Sequence, residues 1–123
     1  MQTTVSKPIT FEGIGLHTGL RSKLTVLPAN INFGICFKRT DIQTKAKYIP
    51  ASLANVVESQ LCTRLENSDG LSVSTIEHLM AALVGCGVNN VLLEIDGPEV
   101  PILDGSALAV SYTHLTLPTT SCG

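Results

Sequence analysis

The stretch STIEHLMAALVGC, residues 74–86, followed after GVNN by VLLEI at 91–95, decides how this chain folds. Ile76, Leu79, Met80 and Leu83 fall at i, i+3, i+4 and i+7, the stripe of an amphipathic helix. The spacing predicts a helix over 74–86 with Met80 as core filler. Asn67-Ser68-Asp69-Gly70 marks a turn before it, and Gly85 and Gly87 supply stop signals after it. The run VLLEI then reads as a buried strand. A helix with one apolar stripe needs an apolar surface to cover, so the rest of the chain must provide a sheet.

That sheet is legible upstream. ITFEGIG (9–15), RSKLTVLP (21–28), FGICFKR (33–39) and LCTRLE (61–66) are short runs with β-branched or aromatic residues, separated by turn formers such as His17-Thr18-Gly19 and Pro28-Ala29-Asn30. Leu24 and Val26 alternate with Lys23 and Thr25, the pattern of a strand with one buried face. The order strands, helix, strand predicts an α+β fold, a two-layer sandwich in which a mainly antiparallel sheet is covered by helices.

With 123 residues, 44% of them hydrophobic, the chain has the size of one compact domain. Eight Lys+Arg, a formal charge of -2 and no basic run beyond Lys38-Arg39 argue against a nucleic-acid partner. No apolar stretch of about 18 residues exists to form a transmembrane segment, and the start MQTTVSKPITF lacks a signal-peptide h-region, so a cytoplasmic protein is expected. Cys36, Cys62, Cys86 and Cys122 stand singly without a C-x-x-C pair and read as reduced thiols, Cys36 and Cys86 as small buried hydrophobes. The domain is expected to occupy residues 1–110. Residues 111–123, SYTHLTLPTTSCG, form an atypical tail in which no charged side chain occurs after Asp104. Two readings of it stay open, an irregular terminus and non-native sequence joined after Val110, and His114 falls within it.

The chemistry-bearing pair is Glu77-His78. At about 100° per residue His78 points away from the apolar stripe and shares its face with Ala81, Ala82 and Gly85. Small residues around a histidine suit a cleft wall or a contact with another domain. For Glu77 two readings stand, because Ser74-Thr75-Ile76-Glu77 also matches the S-x-x-E capping box. A catalytic zinc takes three protein ligands and leaves one position open. His78 offers one, and the remaining histidines are His17, in the turn Gly15-Leu16-His17-Thr18-Gly19, and His114. Most of such a shell must therefore come from outside this chain. Gly13, Gly15 and Gly19 do not make a dinucleotide loop, since their spacing is GxGxxxG and a strand pattern follows. Neither Ser74 nor Ser106 sits in G-x-S-x-G.

Together, GIGLHTG (13–19), STIEHLMAAL (74–83) and DGPEVPILDGSA (96–107) resemble, in that order, the UDP-3-O-acyl-N-acetylglucosamine deacetylase family of lipid A biosynthesis, over about residues 5–110. The resemblance implies two α+β domains with Zn2+ in the cleft between them, this chain matching the first and the second being absent. It implies Glu77 as general base and His78 as a zinc ligand, the other ligands coming from the second domain. It places Leu61, Cys62, Thr63 and His17 along the substrate cleft, with a UDP-linked acylated amino sugar as substrate. The fragment alone is expected to be inactive. The competing expectation is a non-catalytic interaction domain that docks a partner through the face of His78, Ala81, Ala82 and Gly85.

Overall fold

A computed structural model describes residues 2–43, 47–58 and 62–102. Its elements in chain order are β1 (Ile9–Ile14), β2 (Arg21–Pro28), β3 (Ile35–Arg39), β4 (Tyr48–Pro50), a single 3-10 turn (Leu53–Asn55), β5 (Val56–Glu58), β6 (Thr63–Glu66), β7 (Ser72–Ser74), α1 (Glu77–Gly85) and β8 (Val91–Ile95). Five strands form one sheet in the order β1-β2-β8-β3-β4, and β5-β6-β7 form a second.

The register explains why these residues become strands. Ile9 pairs with Val26, Val26 with Leu93, Leu93 with Phe37 and Phe37 with Ile49, so one apolar row crosses all five strands of the larger sheet on its inner face. All five side chains are buried. A one-residue slip of any strand would turn its share of that row to solvent, so burial fixes the register. The inner face of the smaller sheet adds Leu65 and Val73, and α1 closes the core with Leu79 and Leu83, preceded by buried Ile76. Met80 packs at the edge of the same cluster. Arg39 ends the row next to the apolar one. Its guanidinium donates to both Asp41 carboxylate oxygens at 2.8 and 2.7 Å and to the Ser72 carbonyl at 2.9 Å, linking the two sheets. These donors, Arg39 above all, hold the Asp41 carboxyl below the usual carboxylate range.

The α+β sandwich read from the sequence is the observed class, with one helix among the described residues. Three features differ from the sequence reading. β3 and β8 pair in parallel, so the larger sheet is mixed; the chain between them runs through the smaller sheet and α1, the long crossover a parallel pair requires. Three strands of three residues each, β4, β5 and β7, carry too little alternation to show a period. The helix starts at Glu77 rather than Ser74, because Ser74 belongs to β7 and is bridged to Glu99. Ile76 is the N-cap and makes no side-chain cap bond, so the Ser74–Glu77 capping box is not formed. At the other end the stop is as expected. Gly87 takes the left-handed conformation (φ 74°), its N–H donates to Val84 O and that of Val88 to Leu83 O, the Schellman pattern.

Cys36, Cys62 and Cys86 form no disulfide with one another; Cys36 is buried and Cys86 half-buried against the core. No helix among the described residues is long and apolar enough to cross a membrane. Leu61, Ser106, His114, Cys122 and the tail 111–123 lie outside the described residues.

The apolar row sets a stability test. Leu93 is 0% exposed at the centre of the row, whereas Leu53 is 93% exposed. Leu93→Ala should cost about 2–5 kcal/mol in chemical denaturation, and Leu53→Ala should stay within about 0.5 kcal/mol. Equal effects would mean the row is not the centre of the core.

Candidate functional site

The site is organised by the chain that leaves β8. Ser74 N–H donates to Pro98 O at 2.9 Å and Val100 N–H to Ser74 O at 3.1 Å, which lays residues 98–100 along β7 as a short parallel bridge. Farther on, Ile102 N–H donates to Ile14 O at 3.1 Å, so the same segment also borders β1. Glu99 is thereby turned inward and is 1% exposed.

A carboxylate so buried must be matched by donors. Thr18 N–H reaches Oε1 at 2.8 Å, His17 N–H reaches Oε2 at 3.0 Å, and the Thr75 hydroxyl donates to Oε2 at 2.5 Å. The Ser22 hydroxyl donates to the Glu99 carbonyl at 3.1 Å. Burial alone pushes the carboxyl up, but the Thr75 hydroxyl and the Thr18 and His17 amides outweigh it and hold the pKa at about 2. Gly15 allows the turn to come this close. A Cβ there would collide with Glu99 Oε1 and lie 2.6 Å from Thr18 Oγ1.

One carboxylate thus joins the 15–19 turn, the 96–102 segment and the residue two positions before α1. These three segments also supply the walls of a cleft of about 250 Å³, lined by Leu16, Thr75, Val100, Pro101 and Ile102 together with His78 and Leu79 of α1. His78 is exposed, on the side of α1 away from buried Leu79 and Leu83. Glu77 is exposed at the first helical position but is not a wall residue of this cleft.

The other residues singled out in the sequence lie around this centre. Thr63 is half-buried in β6, and its carbonyl accepts the Thr75 and Ile76 N–H groups at 2.9 and 3.3 Å, directly under the helix start. Cys62 precedes it, half-buried. His17 holds Glu99 through its backbone while its residue surface is exposed, and Leu16 of the same turn enters the cleft wall. Ala81 and Gly85 are exposed and Ala82 half-buried. An accessible imidazole on a cleft wall fits one position of a metal shell. Among the described residues no group of three or more His, Cys, Asp or Glu side chains comes together to complete it.

Glu99 and Thr75 were not singled out from the sequence. The one signal was a lone acid between two prolines in Pro98-Glu99-Val100-Pro101.

The titration of Glu99 has a definite sign. The carboxyl is lowered from 4.5 to about 2 by folding, so its ionised form stabilises the fold above about pH 4.5. That contribution is lost as pH falls from about 4.5 to about 2. The stability gap between the protein and Glu99→Gln, followed by denaturant unfolding, should therefore be largest near neutrality and shrink through that window. A gap independent of pH would show that the charge is not what the site holds.

The sequence profile described as UDP-3-O-acyl N-acetylglycosamine deacetylase (LpxC) matches residues 2–115, which include the 15–19 turn, the helix start and the Glu99 segment. Over 106 residues the chain is 54% identical to UDP-3-O-acyl-N-acetylglucosamine deacetylase of Syntrophotalea carbinolica, 49% to that of Shewanella woodyi and 48% to that of Shewanella baltica. Each match covers 86% of this chain and 34% of the relative, so the chain spans about a third of the length of the curated relatives it matches. With a profile match over nearly its whole length, the chain belongs to the UDP-3-O-acyl-N-acetylglucosamine deacetylase family.

Proposed function

We propose that the full-length protein is a zinc-dependent amide hydrolase that removes the N-acetyl group from UDP-3-O-acyl-N-acetylglucosamine in lipid A biosynthesis, and that residues 1–110 are its first domain. The observation that carries the reading is the helix start itself. An acid at the first helical position is followed by an imidazole that faces an apolar cleft instead of the core.

In this reading His78 contributes one metal ligand, and a second domain, corresponding to part of the remaining length of the relatives, supplies the others. Zinc, when bound, supplies Lewis-acid polarisation of the acetamide carbonyl and a more acidic water. Glu77 accepts the proton of the attacking water and returns it to the departing amine as the C–N bond breaks and acetate leaves. The apolar wall of Leu16, Leu79, Val100 and Ile102 keeps the cleft poor in competing hydrogen-bond partners. Thr63, Cys62 and His17 border the helix start and its neighbouring turn, where the sugar would lie. The reduced thiols of Cys36 and Cys86 suit a reducing compartment, and we place the protein in the cytoplasm.

Exposure of Ala81, Val84 and Gly85 on α1 favours the docking reading as well. The two are compatible if the docked partner is the second domain. On that account the described third of the protein, by itself, binds zinc weakly and releases no acetate, since one ligand does not make a three-ligand site.

The test uses the full-length protein. His78→Ala should lose stoichiometric zinc. Glu77→Gln should keep zinc, lower acetate release about 10²–10⁴-fold and leave Tm nearly unmoved, since Glu77 is exposed and the capping box is not formed. Undiminished turnover in Glu77→Gln would remove Glu77 as the base.

A further inference from the structure

We infer that Glu99 and Thr75 form a positioning pair for the reaction, acting through the backbone at the start of α1 to set where Glu77 and His78 stand. The inference rests on the functional reading above.

Thr75 has φ 60°, in the left-handed region that a β-branched residue avoids. Such a conformation persists only where the surroundings over-determine it. Two contacts do so here. The Thr75 hydroxyl is held by Glu99 Oε2 at 2.5 Å, and its N–H by Thr63 O at 2.9 Å. This residue converts β7 into α1, and only Ile76 stands between it and Glu77. A change of its backbone angles therefore swings the first turn of the helix as a lever, moving Glu77 and His78 together.

The opposite end of the pair is equally constrained. Glu99 is itself fixed by the Thr18 and His17 amides and by the bridge to Ser74. Among the described residues the groups that hold its carboxylate are the His17 and Thr18 amides and the Thr75 and Thr18 hydroxyls, all neutral. A carboxylate accepts three donors at once in one fixed plane, which a carboxamide cannot do without presenting an N–H to one of them. The same cluster holds Leu16, Thr75 and Val100 in the cleft wall beside His78. Misplacement of reacting groups by about 1 Å costs about 10²-fold in rate, so a device that fixes this turn acts on catalysis without touching the reacting atoms.

The test again uses the full-length protein, with Thr75→Val, Thr75→Ser and Glu99→Gln. Valine keeps the β-branch and removes the hydroxyl; serine keeps the hydroxyl. Thr75→Val should lower kcat about 10–100-fold, with KM changed less than about threefold and zinc retained, and Thr75→Ser should recover most of the loss. Glu99→Gln should lower kcat in the same way; Thr75→Val carries the test even if Glu99→Gln does not fold. The ring NMR signals of His78 read the same coupling without turnover, and should shift or broaden in Thr75→Val but not in Thr75→Ser. Full kcat and unmoved His78 signals in Thr75→Val would overturn the inference, as would equal losses in the valine and serine variants. Full turnover in Glu77→Gln would remove Glu77 as the base without touching the pair, and the His78 signals would then decide whether the pair sets the helix start.

Discussion

Glu99 carries a full negative charge at a position where only 1% of the residue meets solvent, and it is held there by donors from two other segments of the chain. Without those donors the charge would be costly to bury; without the charge, two turn amides and a threonine hydroxyl would lose their common acceptor. The 15–19 turn, the 96–102 segment and the entry to α1 are otherwise far apart in sequence, with separations of 81 and 82 residues between Glu99 and its turn partners. The cleft is the space these three segments enclose. Its shape therefore depends on one buried anion more than on any single apolar contact.

Beneath that anion lies a core that does not depend on it. The row from Ile9 to Ile49 fixes the register of five strands, and the stripe of α1 closes over it. Burial of this kind is strong but tolerant, whereas the carboxylate cluster is local and directional. The division lets the fold carry stability in one place and geometry in another. Helix α1 belongs to both, with Leu79 and Leu83 facing the core and His78 facing the cleft.

Much of the scaffold was legible in the sequence because its signals are local. The period of Ile76, Leu79, Met80 and Leu83 gave the helix and its buried face, the Leu24/Val26 alternation gave β2, and Gly87 marked the helix end. The placement of His78 off the apolar stripe followed from the same arithmetic, and its exposure agrees with it. What escaped reading is non-local. The parallel β3–β8 pair depends on a crossover, and the displaced helix start depends on Ser74 being claimed by Pro98 and Val100. The role of Glu99 depends on partners that no window of sequence contains. The capping-box pattern at Ser74–Glu77 misled for the same reason: a local motif was available, and a tertiary bridge took its first residue.

Amide hydrogen exchange at His17 and Thr18 tests this account most directly. Both residues are exposed on a turn outside the strands, where amides ordinarily exchange within the fast class. If the buried carboxylate holds them as described, both should be protected to the level of β2 amides at neutral pH, and Glu99→Gln should release them while β2 stays protected. Exchange of His17 and Thr18 at the rate of an open turn in the unsubstituted protein would contradict the account.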